Sequence, residues 1–382
     1  MEDAIHEKIV NGKVLKSTDG VNQPNIAKDR VLSIDFFRGF VMFILVTGIT
    51  GIFSEWVKTG NAGDLITSIN TQFRHGIWYE LTFWDLIQPF FMFIVGVAMP
   101  FSLAKRMERG EPWNKSFQHA LVRSFWLLVL GFMQGATDKT FSFTNILPQL
   151  AFAYPVAFLL MRIDVKWQLI VSFVLILISD LLYHFWPVEG YNQLTPDQNF
   201  GAWFDLATVG HLNPNHWVTF NALSTTAHVI WGVVVGKFLM KEISDKKKIL
   251  TILITGLAGV IIGYSMDPFI PIIERISTSS YVIVCGGWAM VAMAFSYWLV
   301  DVMKFKKFAW FFAIVGMNPI FIYLFSMMGG GKLLSRMAVP FTYRLFSWGG
   351  EITINMITIL VVVAMFWYIS YFLYKRKIFI KL

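Results

Sequence analysis

The chain has 382 residues, of which 56% are hydrophobic, 17% aromatic and only 15% charged, with a net charge of +8. Soluble domains carry about a quarter charged residues, so this composition and a mean hydropathy of +0.58 exclude a water-soluble globular enzyme. The pI near 9.4 follows from how charge is divided across a membrane, and nucleic-acid binding is not needed to explain it.

Residues 1–29 are polar and mixed in charge, with no apolar run before Val31, which predicts a cytoplasmic tail without a cleaved signal peptide. Residues 30–382 read as a single all-α domain, a polytopic membrane bundle. Apolar stretches long enough to cross a hydrocarbon core of roughly 30 Å as helices recur over 37–54, 83–103, 119–136, 144–161, 167–186, 218–239, 249–266, 280–300, 308–328 and 352–374, ten in all. With residues 1–38 on the cytoplasmic side, 25 of the 32 Lys and Arg fall on that side. Lys58, Arg74, Lys139, Arg275, Lys332, Arg336 and Arg344 fall on the other. This is the asymmetry of the positive-inside rule, and it places both termini in the cytoplasm.

Several familiar patterns fail. Gly232-Val-Val-Val-Gly236-Lys237 has three residues between its glycines where a phosphate loop needs four, and it closes an apolar span. It reads as small-residue helix packing, as do Gly259 and Gly263. There is no H-E-x-x-H, no Cys/His cluster and no G-x-S-x-G, so neither a metal nor a serine nucleophile is expected. Cys285, the single cysteine, lies in an apolar span and reads as packing.

Polar residues gather at the first two spans. Arg30-Val-Leu-Ser33-Ile-Asp35-Phe-Phe-Arg38-Gly39 opens span one with Asp35 and Arg38 on one helical face. That spacing suits an interfacial ion pair, and it also suits an arginine fork, Arg30 with Arg38, for an anionic ligand from the cytoplasm. On the outer side, Thr82 and Asp85 have capping-box spacing at the start of span two. His75 precedes them in the external loop, close enough for its imidazole to share a pocket with Asp85, while Trp78 and Trp84 have the character of interfacial anchors. The loop 187–217 has no Lys or Arg but holds Tyr191, Trp203, His211, His216 and Trp217, a set suited either to a membrane interface or to stacking on a sugar. In span six, Ser224, Thr225 and His228 share a face, which suits hydrogen bonding between helices as well as a ligand site.

The S-x-D-x-x-R-G opening of span one, followed by His75-x-x-Trp78-x-x-Leu-Thr82-x-x-Asp85-x-x-x-Pro-Phe-Phe-x-Phe-Ile-Val-Gly, resembles the heparan-α-glucosaminide N-acetyltransferase family and its bacterial relatives. Leu147-Pro-Gln149, Pro271 with Thr278-Ser-Ser280-Tyr-Val282, and Gly316-Met-Asn318 to Tyr323 resemble later elements of that family, so the likeness covers roughly residues 30–330. The resemblance implies a transmembrane acyltransferase of a bacterial inner membrane. Such an enzyme takes acetyl from cytoplasmic acetyl-CoA to an amino sugar or glycan outside, with no metal and with a homodimer unsurprising.

By the same resemblance His75 is the catalytic residue, with Asp85 beside it. Arg30, Asp35, Arg38 and Gln149 would serve the CoA donor, and Trp78, Trp203, His228 and Asn318 the acceptor. His75 would act either as a general base or as an acyl carrier, with direct transfer the simpler route because a long donor can itself present the thioester. The chain departs from the family where an asparagine is usual, since the stretch is Thr47-Gly48-Ile49-Thr50, and Phe143 stands where an arginine often precedes the L-Q element. The departures point to a distinct bacterial acceptor or to a different acyl donor. Two further readings of the composition are a transporter or lipid flippase, which would show related halves that this sequence lacks, and an inactive relative of the enzyme.

Overall fold

The structure, a computed structural model, describes residues 31–136, 142–186, 190 and 192–380. Arg30 and the tail 1–29 lie outside the described residues, as do Lys139 and Tyr191.

Among the described residues every regular element is helical. Helices α1 (Leu32–Thr47) and α2 (Gly51–Val57) form the first apolar segment, bent by 45° after Gly48 adopts a left-handed φ of 67°. Helix α3 (Gly63–Gln72) follows, and a short 3₁₀ turn, Trp84–Leu86, leads into α4 (Ile87–Glu108). Then come α5 (Trp113–Gly135), α6 (Ile146–Leu160), α7 (Val165–Phe185), α8 (Phe200–Thr208) and α9 (Asn221–Leu239). The last third comprises α10 (Asp245–Met266), α11 (Ser279–Tyr297), α12 (Lys306–Gly316), α13 (Pro319–Phe325), α14 (Gly331–Phe346) and α15 (Gly350–Lys375).

Seven helical segments among the described residues are long and apolar enough to cross a membrane, and the bent α1–α2 pair makes an eighth. The protein is an all-helical, multi-pass membrane protein, with fewer such segments than the ten apolar runs of the sequence. Two places account for the difference. Helix α6 has 15 residues, about 22 Å at 1.5 Å per residue, short of a full crossing. The run expected over 308–328 is broken at Asn318, whose φ of −124° and ψ of 54° separate α12 from α13, with Pro319 as the first residue of the new helix. From Pro319 to Lys375 the chain is helical for 57 residues, with left-handed turns at Gly329 (φ 96°) and Gly350 (φ 79°). Lys332, Arg336 and Arg344, expected in a loop, therefore lie on α14, because Leu334, Ala338 and Thr342 repeat every fourth residue and give that segment a buried face.

Helices α4 and α9 form the centre, with 72% of each apolar window buried inside the protein, whereas α5, α7 and α10 bury 22–28% and lie at the periphery. Lipid is as apolar as leucine, so helices in a bilayer associate through close packing rather than hydrophobic burial. The α4–α9 pair shows this: a Cβ on Gly96 would come within 2.1 Å of the Val229 carbonyl oxygen, and one on Gly232 within 2.1 Å of the Phe93 carbonyl oxygen. Gly236 and Gly263 make similarly close approaches, so the small-residue reading of those glycines holds. Polar residues of α9 reinforce the centre. Ser224 Oγ donates to the Ser277 carbonyl (3.0 Å), Thr225 Oγ1 to Gln149 Oε1 (3.1 Å), and His228 Nε2 lies 2.9 Å from the Val282 carbonyl.

The candidate active site at the histidine end

His75 occupies the loop between α3 and the turn before α4, and that loop folds around one carboxylate. Asp85, fully buried, accepts hydrogen bonds from His75 Nδ1 (3.0 Å) on Oδ1, and from Gly76 N–H (3.2 Å) and Thr82 N–H (2.9 Å) on Oδ2. The Thr82 hydroxyl lies 3.0 Å from Oδ2 and 2.6 Å from the Arg74 carbonyl oxygen. A carboxylate buried among several N–H donors can stay ionised, because those donors replace the water it loses. The Thr82–Asp85 contact is the reciprocal half of a capping box. Gly76 is required by space, since a Cβ there would sit 2.5 Å from the Glu80 carbonyl oxygen.

A third group completes the cluster from the opposite end of the sequence. Glu274, 199 positions away in the α10–α11 loop, brings Oε2 within 3.1 Å of His75 Nδ1. Its loop is fixed by Ser277 at a left-handed φ of 48°, and by Thr278 Oγ1, which donates to the Pro271 carbonyl (2.8 Å) and accepts from Ile273 N–H (3.1 Å). Asn221 of α9 holds the same loop through Arg275 O (2.8 Å), and Tyr281 of α11 donates its hydroxyl proton to the Asp85 carbonyl (2.8 Å). Two carboxyl groups thus meet one imidazole, one from the turn before α4 and one from a loop braced by α9.

Electrostatics follow from that convergence. Burial alone would lower the His75 pKa, but hydrogen bonds and charge from Asp85 and Glu274 outweigh it and lift the value to about 9. Burial pushes Glu274 up, the His75 hydrogen bond opposes this, and the Asp85 charge adds to it, leaving Glu274 near 8. Both shifts favour the protonated forms of His75 and Glu274 at neutral pH. The His75 side chain is 43% exposed, and Nε2 has no hydrogen-bond partner among the described residues, so it is the nitrogen open to a ligand. The ring lies edge-on to Trp217 (5.5 Å) and Trp84 (6.4 Å), and the Arg275 guanidinium sits 5.7 Å from the Trp217 ring. His75, Asp85 and Glu274 also place three metal-competent donor atoms within 4.8 Å of one another, a set the sequence conceals because Glu274 is so distant.

The other residues singled out in the sequence go elsewhere. Trp78 is buried with its indole N–H donating to the Leu194 carbonyl (2.8 Å), in an aromatic cluster with Tyr183 and Phe200. Trp203 packs against that cluster, 4.9 Å from Trp186 and 5.6 Å from Phe200. Gln149 lies inside the bundle, accepting from Gln88 Nε2 (2.6 Å) as well as Thr225, while its own Nε2 has no partner. At the far end of α1, Arg38 pairs with Asp35 (2.8 Å) and donates through Nε to the Gly316 carbonyl (2.8 Å). Asn318, beside that carbonyl, uses both ends of its amide on the segment after α15, through Ile378 O (3.0 Å) and Ile380 N–H (2.8 Å). The structure therefore brings together His75 and Asp85, adds Glu274, and leaves Arg38 with Asn318 at the opposite end. Glu274 gave one signal in the sequence, an acid flanked by Ile272-Ile273 and Arg275-Ile276 in a loop between two spans.

Fold and site together define a multi-pass membrane protein that carries a histidine held between two carboxyl groups at one end of its bundle. No family model matches the chain. It is similar to the heparan-alpha-glucosaminide N-acetyltransferase of Mus musculus, 25% identical over 422 aligned positions that take in 93% of this chain. The chain spans 61% of the length of that mouse protein. The similarity makes it a distant relative of that transferase, in line with the resemblance carried by its motifs.

Proposed function

We propose that this protein is a membrane acyltransferase that passes an acetyl or other acyl group from cytoplasmic acyl-CoA to an amine or hydroxyl of a sugar or glycan on the opposite side of a bacterial inner membrane, both termini being cytoplasmic. The observation that carries this reading is the His75–Asp85 contact, which ties up Nδ1 and leaves Nε2 for the acceptor. In its neutral form His75 takes the acceptor's proton on Nε2 as the acceptor nitrogen or oxygen attacks the thioester carbonyl. The carbon–sulfur bond then breaks, and the departing thiolate takes that proton. Asp85 fixes the tautomer and orientation of the ring, and Glu274 sets how readily the ring gives up its proton.

The donor's phosphates would meet Arg38, with Asp35 beside it, at the other end of the bundle. Its pantetheine arm would pass the buried amides between α4, α6 and α9. Support for that path comes from two unsatisfied buried atoms of opposite character, the Gln149 Nε2 donor and the Asn221 Oδ1 acceptor, with His228 Nδ1 a third. Pantetheine amides would satisfy both kinds. Trp217, between His75 and Arg275, offers the face on which a sugar ring can stack.

Purified protein incubated with labelled acetyl-CoA and a panel of amino sugars and envelope glycans tests the proposal. Label should pass to an acceptor, and acetyl-CoA should raise the melting temperature. No thermal response to any acyl-CoA would favour a transporter instead. Label retained on the protein without acceptor, and lost in His75→Ala, would indicate an acyl-imidazole intermediate.

A further inference from the structure

A groove of about 860 Å³ runs along the outside of the bundle between α1, α4, α10 and α11. Its outer end is formed by Gln72, Thr82 and Phe83 and its other end by Phe305 and Phe308, which open α12. Along α11, lining residues from Trp288 to Leu299 recur every third or fourth position, a face about 16 Å long and so over half of a hydrocarbon core of roughly 30 Å. The volume is in the range of ligand clefts, roughly 300–1,000 Å³.

The lining is almost entirely hydrocarbon and aromatic, with Gln72, Thr82, Ser296, the Tyr264 hydroxyl and the Trp288 indole N–H its few polar groups, three of them engaged. Gln72 Oε1 accepts from Phe83 N–H, the Thr82 hydroxyl meets Arg74 O and Asp85, and Ser296 Oγ donates to Ala292 O. A sugar or a pantetheine would leave most of its polar groups without partners there, whereas an alkyl chain needs none. The groove opens sideways, with Phe295 and Phe308 about half exposed where the bilayer would lie. At its outer end Thr82 is shared with the active site, since it lines the groove and also bonds to Asp85.

We infer that the groove holds the hydrocarbon chain of a membrane-borne acceptor, an amine- or hydroxyl-bearing lipid that enters from the bilayer and presents its head group to His75. This rests on the acyltransferase reading and narrows its acceptor from free glycans to lipid-borne ones. A long acyl chain on the donor is the competing occupant. With its thioester at His75 that chain would have to double back along the groove toward the Arg38 end, where Phe36, Phe37 and Phe40 line it beside the place proposed for the donor's own phosphates.

The full chain in nanodiscs, with a phospholipid bearing a diazirine on its acyl chain, tests occupancy apart from activity. Cross-links should map to α11 between Trp288 and Phe295 and fall at least tenfold in Ala292→Trp, which fills the groove. Phe295→Ala, which removes an exposed ring and spares the fold, should move them along α11. In parallel, labelled acetyl-CoA is offered phosphatidylethanolamine as a lipid amine and glucosamine as a soluble one. Ala292→Trp should cut transfer to the lipid at least tenfold and transfer to glucosamine less than twofold. Equal losses with both acceptors, cross-links unaffected by either variant, or cross-linking by a diazirine palmitoyl-CoA in preference to the phospholipid would overturn the inference. Transfer to no acceptor by the unaltered protein would refute the acyltransferase reading alone, and the cross-linking would still decide the groove.

Discussion

The two ends of the bundle carry the same ingredients, a basic side chain beside acids, and arrange them differently. At the Arg38 end the partner is local: Asp35 lies one helical turn away, and the guanidinium is further held by the Gly316 carbonyl. At the His75 end the imidazole is held by two acids from different elements, one ten and one 199 positions away. A local pair can anchor a helix at an interface. A histidine clamped at one nitrogen by distant loops, with the other nitrogen unengaged and its pKa displaced, is the arrangement of a group that moves protons.

Substitutions at the two ends should separate these uses. The largest effect is expected of His75→Ala, which removes the proposed base and should lower acyl transfer about a thousandfold in a single-turnover assay. Acetyl-CoA should still stabilise that variant thermally, because the contacts proposed for the donor are at the other end. Asp85→Asn should cost about a hundredfold in rate, since an amide can hold neither the tautomer nor the charge of the ring. It should also lower the melting temperature, because the N–H groups of Gly76 and Thr82 would lose their charged acceptor. Arg38→Ala should act on binding, raising the apparent KM for acetyl-CoA about tenfold, roughly 1.4 kcal/mol, with a smaller change in kcat. A larger effect on kcat than on KM would remove the assignment of this end to the donor.

Much of the bundle was legible because its cause is local. Long apolar runs specify helices whatever their neighbours, and the glycine spacing of Gly232 and Gly236 announces close packing that the structure bears out. Span limits were less legible where one residue decides them. Asn318 breaks an apolar run whose hydropathy is continuous, and α14 hides three basic residues on the exposed side of an amphipathic helix. The site was half legible. Asp85 is near His75 in sequence, and its capping spacing with Thr82 foretold the contact. Glu274 was not, because only the packing of α10 and α11 carries it to the imidazole, and no periodicity encodes a contact across 199 residues. Trp78 and Trp203 show the converse, aromatic residues expected at the acceptor, of which Trp78 packs as core and Trp203 lies partly buried against the same cluster.

The pH dependence of stability carries the same signature. His75 and Glu274 both have raised values in the folded protein. His75 therefore contributes stability that is fully present below its ordinary value near 6.5 and is lost as pH rises through about 9. Glu274 contributes stability that is fully present below about 4.5 and is lost as pH rises through about 8. The melting temperature should fall between pH 7 and 9.5, and Glu274→Gln should flatten that fall.

The central claim, that Glu274 and Asp85 together set the proton affinity of a catalytic His75, is tested most directly by the pH–rate profile of acyl transfer in the unaltered protein and in Glu274→Gln. The account predicts a rate that climbs with pH through a midpoint near 9 in the unaltered protein, and a midpoint lower by a unit or more in the variant. Identical midpoints in the two proteins, or a profile flat from pH 6 to 10, would contradict it.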